Sequence, residues 1–376
     1  LIWLTISRSS IGLASCGRRF VPSEAGDRSI MSASFVRTAA IAVAGGALMR
    51  AIDGPLPWMI GPLVACAVVR MAGDDLQLPQ PVRNFGLWMI GTVLGLYFSP
   101  DVVTRVLAML PWVILAVLWA LLLGLAYAWS IRRYTGATPT TAFFAGAIGG
   151  ASEMALQGER LGGRVDQIAA FHSVRILVVV VCLPWAYRLL ELQGSDPYQP
   201  VARQFEPTGF MVLGLITAGA ALLWKRLGGF SPWNLGPLAA TFALTASGVT
   251  LSAMPESLTV FGQLAIGASL GCRFSRDFLA QAPRFLAVAL STSVLGVLAT
   301  AAVATGMGWA SGIPIATLVL ATAPGGMAEM SLTARNLQLG VPVVTAFHVI
   351  RMAASMSLTG QVYLWIARRR GWPTAA

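Results

Sequence analysis

The sequence predicts an all-α, polytopic membrane protein made of two inverted repeats. Each repeat is expected to hold about five transmembrane helices plus one broken or re-entrant segment. Three observations carry this prediction. The 376 residues are 56% hydrophobic and only 11% charged, with a mean hydropathy of +0.72, whereas about a quarter of the residues in soluble domains are charged. Apolar runs long enough to span a bilayer, roughly 20 residues each, recur from end to end. Finally, the chain matches itself: GAIGGASEMALQGERLGGRVDQIAAFHSVR at 146–175 pairs with TAPGGMAEMSLTARNLQLGVPVVTAFHVIR at 322–351. Gly325, Gly326, Glu329, His348 and Arg351 each lie 176 positions after Gly149, Gly150, Glu153, His172 and Arg175. The 2 histidines of the chain are these two. A self-match at one fixed offset indicates duplication.

Taken in order, residues 1–30 read as a leader, disordered or an artefact of the assigned start, with Met31 as the natural start. The first six residues, LIWLTI, are too short for the apolar core of a signal peptide and have no basic stretch before them. Repeat one, 31–190, offers six apolar segments near 35–51, 58–72, 84–98, 106–130, 138–157 and 167–190. A polar linker at 191–207, with Pro197, Pro200 and Pro207, reads as an irregular connection. Repeat two, 208–376, offers the same six near 208–224, 233–250, 258–274, 285–308, 313–333 and 341–367. Two more blocks match between the halves. Pro57, Trp58, Gly61 and Pro62 pair with Pro232, Trp233, Gly236 and Pro237, and Phe85, Gly86, Gly91 and Gly95 pair with Phe261, Gly262, Gly267 and Gly271. The Trp-Gly-Pro blocks read as architectural, since proline removes a donor and kinks a helix.

The arginines set the orientation. In repeat one, basic residues follow the second segment (Arg70, Arg83) and the fourth (Arg132, Arg133). In repeat two they follow the first (Lys225, Arg226) and the third (Arg273, Arg276, Arg284). One pattern with its charge bias on opposite faces implies opposite topologies under the positive-inside rule. An N-terminus inside the cell places fourteen basic residues on the cytoplasmic side and five outside. The expected location is therefore the bacterial inner membrane, with both termini cytoplasmic and the 191–207 linker outside. Inversion requires an odd number of crossings per half, so one of six segments must enter and return, and the Gly-Gly segment is the candidate.

That segment also carries the candidate chemistry. Backbone freed from a helix at bilayer depth needs protein or water to satisfy it, and matching broken segments in two inverted halves point to a transporter's substrate site. A helix restarting near Gly150 or Gly326 would aim N–H groups at an anion, with hydroxyls from Ser152 and Thr322 nearby. Glu153 and Glu329 are the carboxylates placed well inside apolar runs, where an acid binds a proton or cation or pairs with a base. His172 and Arg175, like His348 and Arg351, share one helix face at i and i+3. The arginines would bind an anion or neutralise a glutamate. The histidines would shuttle protons or tether a helix to a loop. The binding set is thus Gly149, Gly150, Ser152, Glu153, His172, Arg175, Thr322, Gly325, Gly326, Glu329, His348 and Arg351. No catalytic residue, metal site or cofactor is expected. The net charge of +11 reflects the loop bias rather than contact with nucleic acid. Cys16, Cys66, Cys182 and Cys272 are scattered without metal-ligand spacing.

The two Gly-Gly-x-x-Glu-Met blocks, each followed by Ala-Phe-His-x-x-Arg, resemble the AbrB family of integral membrane proteins over about residues 35–365. That resemblance implies a duplicated membrane domain. It brings two inherited labels, a regulator of gene expression and an ammonia monooxygenase. The architecture is also similar, as a matter of fold alone, to secondary transporters with inverted five-helix halves. The preferred expectation is an ion-coupled carrier of a small, anionic solute, with any effect on gene expression indirect. A membrane sensor is the alternative. A copper monooxygenase is disfavoured because two histidines leave the ligand set short, and direct DNA contact lacks a basic reading element. The expected partners are a small solute or ion and the lipid bilayer, and self-association into a homo-oligomer stays open.

Overall fold

The computed structural model describes residues 24–370 and Trp372, apart from 195–197, 203 and 277–282. Residues 1–23 of the expected leader, Cys16, and part of the expected linker, including Pro197 and Arg203, lie outside the described residues. Among the described residues every regular element is an α-helix. The first half runs α1 (Glu24–Ala51), α2 (Pro57–Met71), α3 (Gln80–Gly95), α4 (Pro100–Ala108), α5 (Leu110–Thr135), α6 (Pro139–Gly146), α7 (Ala151–Arg160) and α8 (Val165–Leu189). The second runs α9 (Pro207–Arg226), α10 (Pro232–Ala246), α11 (Glu256–Gly271), α12 (Pro283–Ser311), α13 (Ile315–Thr322), α14 (Met327–Leu337) and α15 (Val341–Arg370).

The apolar segments read from the sequence appear as helix, with 138–157 and 313–333 each interrupted by a short break, but they differ in reach. Among the described residues, helices α5, α8, α9, α12 and α15 are long and apolar enough to cross a membrane, giving 5 such helices, or 6 if α3 and α4, bent by 88°, form one broken span. That is fewer than the ten implied by five crossings per half. Helices α2 and α10 have 15 residues and α3 and α11 have 16. At 1.5 Å per residue such helices reach roughly 22–24 Å, short of a hydrocarbon core of about 30 Å.

These four short helices pack together through glycine. A Cβ on Gly91 of α3 would strike the carbonyl oxygen of Asn234 in α10, and one on Gly267 of α11 would strike that of Met59 in α2. The two contacts exchange repeat counterparts, so each half presents to the other what it receives. Small residues allow backbones this close, which dispersion then rewards. The turns entering α2 and α10 repeat to the level of backbone angle. Leu56 has φ +46° and Ser231 φ +47°, each directly before a proline, a position where the left-handed region is disfavoured. The same unusual turn in both halves marks it as part of the architecture.

The long helices enclose the broken segments. Tyr187 of α8 donates its hydroxyl to the carbonyl of Ala316 in α13 at 2.6 Å, and the Tyr363 hydroxyl of α15 meets the Thr140 hydroxyl of α6 at 2.6 Å. The buried indoles are also satisfied across elements: Trp88 Nε1 donates to Thr217 at 2.9 Å and Trp119 Nε1 to Thr300 at 3.1 Å. Lipid would offer those donors no partner.

Candidate functional site

Each broken segment consists of a short helix, a four-residue break and a second short helix. Pro139 starts α6, and the Thr138 side chain caps it by accepting from the Thr141 N–H. The helix ends at Gly146, and the chain runs extended through Gly150 before α7 begins at Ala151. In the second half α13 ends at Thr322, and α14 begins at Met327 after Gly326. Gly150 and Gly326 have φ −65° and −79°, angles open to any residue. The glycines leave room for the carboxylates where these now lie. A Cβ on Gly150 would collide with Oε2 of Glu153, and one on Gly326 with Oε2 of Glu329.

Both glutamates therefore fold back over the start of their own helix. They occupy the third position of the first turn, from which a glutamate can reach back toward the capping residue, and a negative charge there complements the helix dipole. The place foreseen for an external anion thus already holds the protein's own carboxylate. Glu329 is buried, 9% exposed, and Glu153 half-buried.

The opposite ends of the breaks are held by the histidine–arginine pairs. Arg175 donates to the carbonyl of Ala147 at 3.0 Å and to His172 Nδ1 at 3.1 Å, while His172 Nε2–H donates to the carbonyl of Phe144 at 3.0 Å. In the second half Arg351 donates to Ala323, to the Gly325 carbonyl at 2.8 Å and to His348 Nδ1 at 2.8 Å. His348 Nε2–H donates to the Leu320 carbonyl at 2.9 Å. The carbonyls of Ala147 and Ala323, just past the ends of α6 and α13, thus receive arginine donors, the favoured sign at a helix C-terminus, while Phe144 and Leu320 within those helices receive the imidazole N–H groups. Both nitrogens of each imidazole are engaged, so neither ring offers a lone pair to a metal. Among the described residues no three His, Cys, Asp or Glu side chains gather as a metal site.

The two breaks, far apart in the chain, meet at one cavity of about 390 Å³. Gly149, Gly150, Ser152 and Glu153 line it from the first half, and Gly325, Gly326 and Glu329 from the second. Arg175, His348 and Arg351 form its floor. His172 and Thr322 stand back from it: His172 is fully buried, and the Thr322 hydroxyl donates to the Leu318 carbonyl within its own helix.

Four cavity residues escaped the sequence reading. Arg83, Lys225 and Arg273 were counted as loop charges that set the orientation, yet all three line the cavity, as does Asn234. Arg83 and Arg273 are the cations whose field reaches Glu329. Among the described residues none of the three has a carboxylate within ion-pair distance. Counting the charged wall, five cations (Arg83, Arg175, Lys225, Arg273, Arg351) face two carboxylates, so the cavity favours an anion. Two polar atoms also await partners: Arg175 Nε and Asn234 Oδ1 are buried without a hydrogen bond.

At four of its lining positions the cavity differs from the opposite side of the repeat. The counterparts of Asn234, Ser231, Arg83 and Arg273 are Met59, Leu56, Thr259 and Tyr97. All four are buried, at 0%, 2%, 1% and 6% exposure. At these four positions one side of the paired breaks is polar or basic and the other is closed, whereas Lys225 has the exposed Arg50 as its counterpart.

Comparison with known proteins gives two relatives and a family. The family described as transition state regulatory protein AbrB matches residues 58–367. A protein of Escherichia coli (strain K12), provisionally named regulator AbrB, is 24% identical over 318 residues, covering 82% of this chain and 89% of its own. The uncharacterized protein YhjN of Bacillus subtilis (strain 168) is 26% identical over 354 residues, covering 86% of this chain and 91% of its own.

Proposed function

The chain belongs to the AbrB family, and from that premise we propose that it is an ion-coupled carrier of a small anionic solute in the bacterial inner membrane. The observation that carries this reading is the single cavity where both Gly-Gly-x-x-Glu breaks meet five cations. Arg83, Arg273 and Lys225 draw the anion in, and the free Arg175 Nε–H orients it by donating a hydrogen bond. Glu329, within the field of Arg83 and Arg273, takes the coupling proton or cation. Neutralising that carboxylate leaves two arginines to the solute, which links the two bindings.

Inverted repeats support the carrier reading. Reciprocal contacts such as Gly91–Asn234 and Gly267–Met59 fit a two-fold relation between the halves, and the opposed arginine bias supports an axis in the membrane plane. Arg83, Lys225 and Arg273, drawn from both halves, converge at one cavity, which favours a common cytoplasmic mouth and cytoplasmic termini. In this reading the structure is the inward-facing state, with Leu56, Met59 and Tyr97 closing the outer path.

One observation favours a second reading. The sealed side carries no charge to match Arg83 and Arg273, which suits a one-sided sensor that binds an anion without moving it. The regulator name of the Escherichia coli relative accords with that role. Reconstitution separates the two readings. Purified protein is screened by thermal shift against carboxylates, phosphate and sulfate, since a bound ligand raises the melting point, and the hit is followed as labelled uptake into proteoliposomes. A carrier accumulates it, whereas a sensor binds it without flux. If no anion of the panel shifts melting, both readings fall.

A further inference from the structure

A second recess, of about 510 Å³, lies on the outer surface where α5, α6 and α15 meet, away from the central cavity. Its apolar wall includes Leu125 and Phe143, and its mouth carries Trp129, Trp365, Arg132, Arg369 and Arg370, with Trp372 closing one end. Trp129 and Trp365 are 63% and 55% exposed, a cost in water but a normal place for tryptophan at a membrane interface. The arginines lie against these rings: Arg369 sits 4.2 Å from the Trp365 ring centre, and Arg132 sits 5.1 Å from that of Trp372. Cation–π contact fixes the direction of each guanidinium and does not neutralise its charge.

Among the described residues no carboxylate lies within ion-pair distance of these three arginines. The sequence holds no Asp or Glu between Asp101 and Glu153, and none after Glu329. The recess therefore joins three arginines without an ion-pair partner among the described residues to an apolar slot on the outer surface. A free inorganic anion would use the first feature and leave the second empty. A neutral lipid would use the second and leave the first unpaired.

We propose that the recess between α5 and α15 is a binding site for one anionic phospholipid, with the phosphate held by Arg132, Arg369 and Arg370 and an acyl chain lying along Leu125 and Phe143. Basic pockets between transmembrane helices recognise anionic headgroups in this way, and arginine matches phosphate with paired donors. The site is independent of what the central cavity carries.

The test uses the full chain in nanodiscs of phosphatidylcholine, alone or mixed with phosphatidylglycerol. The wild type should melt higher in the mixed discs, and native mass spectrometry should find phosphatidylglycerol retained on the released protein. R132Q/R369Q/R370Q should lose both effects and keep the melting point of the wild type in phosphatidylcholine. The control R133Q/R160Q/R276Q removes the same charge elsewhere and should keep both effects. Trp365→Leu, which leaves every charge in place, should weaken lipid retention, and it stands in if the triple variant fails to fold. Equal losses in the target and control triples would overturn the proposal in favour of general surface charge. Equal stabilisation by inorganic phosphate would overturn it in favour of a simple anion site.

Discussion

Tyr363 lies 176 positions after Tyr187, and each hydroxyl reaches across to the short helix of the opposite half, Tyr187 to Ala316 and Tyr363 to Thr140, both at 2.6 Å. Each half thus holds the broken segment of the other. Tyr187→Phe and Tyr363→Phe should each cost about 1 kcal/mol, the usual net value of one hydrogen bond. The two sites share no partner, so the double variant should show the sum, read from denaturation in a mild detergent.

Arg351→Ala should be severely destabilising, by roughly 3–5 kcal/mol, because it strips buried carbonyls of their donor. Arg351→Lys offers a point charge without the planar fork and should recover only part of this. Melting temperature and membrane abundance both report the loss.

The paired glycines should respond differently to alanine. Gly326→Ala drives a methyl group into the Glu329 carboxylate, so ligand binding should fall at least tenfold with little loss of fold. Gly149→Ala meets the terminal methyls of Met356 and Met154 at 3.0 and 3.1 Å, which can turn aside, and should retain binding. Titration calorimetry on the ligand found by thermal shift decides between these outcomes.

Glu329→Gln should abolish uphill uptake while leaving exchange of solute for solute intact, since the amide keeps the shape and loses the coupling charge. Repeating the assay across pH and with sodium identifies the coupling ion. His348→Gln should cost about 1 kcal/mol of stability and leave coupling unchanged, because both imidazole nitrogens are spent on structure.

Arg83→Gln and Arg273→Gln should each weaken anion binding about tenfold, roughly 1.5 kcal/mol for a charge-assisted hydrogen bond. On a cysteine-free background, Asn84→Cys should react with a membrane-impermeant thiol reagent from the accessible face, and Met59→Cys should stay silent from both faces. Ligand-dependent labelling of Met59→Cys would favour the carrier over the sensor.

Much of this was legible in the chain because duplication preserved spacing. The 176-residue offset located the breaks, both glutamates and both histidine–arginine pairs. The offset says nothing of residues that differ between copies. Arg83, Asn234 and Arg273 replace Thr259, Met59 and Tyr97 in the opposite half, and no repeat could flag them. As charges at helix ends, the arginines also fit the positive-inside rule equally well. Helix length was likewise hidden, because an apolar run looks alike whether it crosses the bilayer or turns within it. Cys66 and Cys272, scattered along the chain, prove to pack in one apolar cluster, a contact visible only once the halves are docked.

The glycine crossings of α3 with α10 and of α2 with α11 bring backbone onto backbone at Gly91 and Gly267, with only small side chains such as Thr241 and Cys66 beside them. Such a joint has few rotamers to change and little cushion to compress, so parting its helices would open space that no side chain fills. It behaves as a fixed hub, and any stroke of the molecule must be taken by the jointed arms that turn about it.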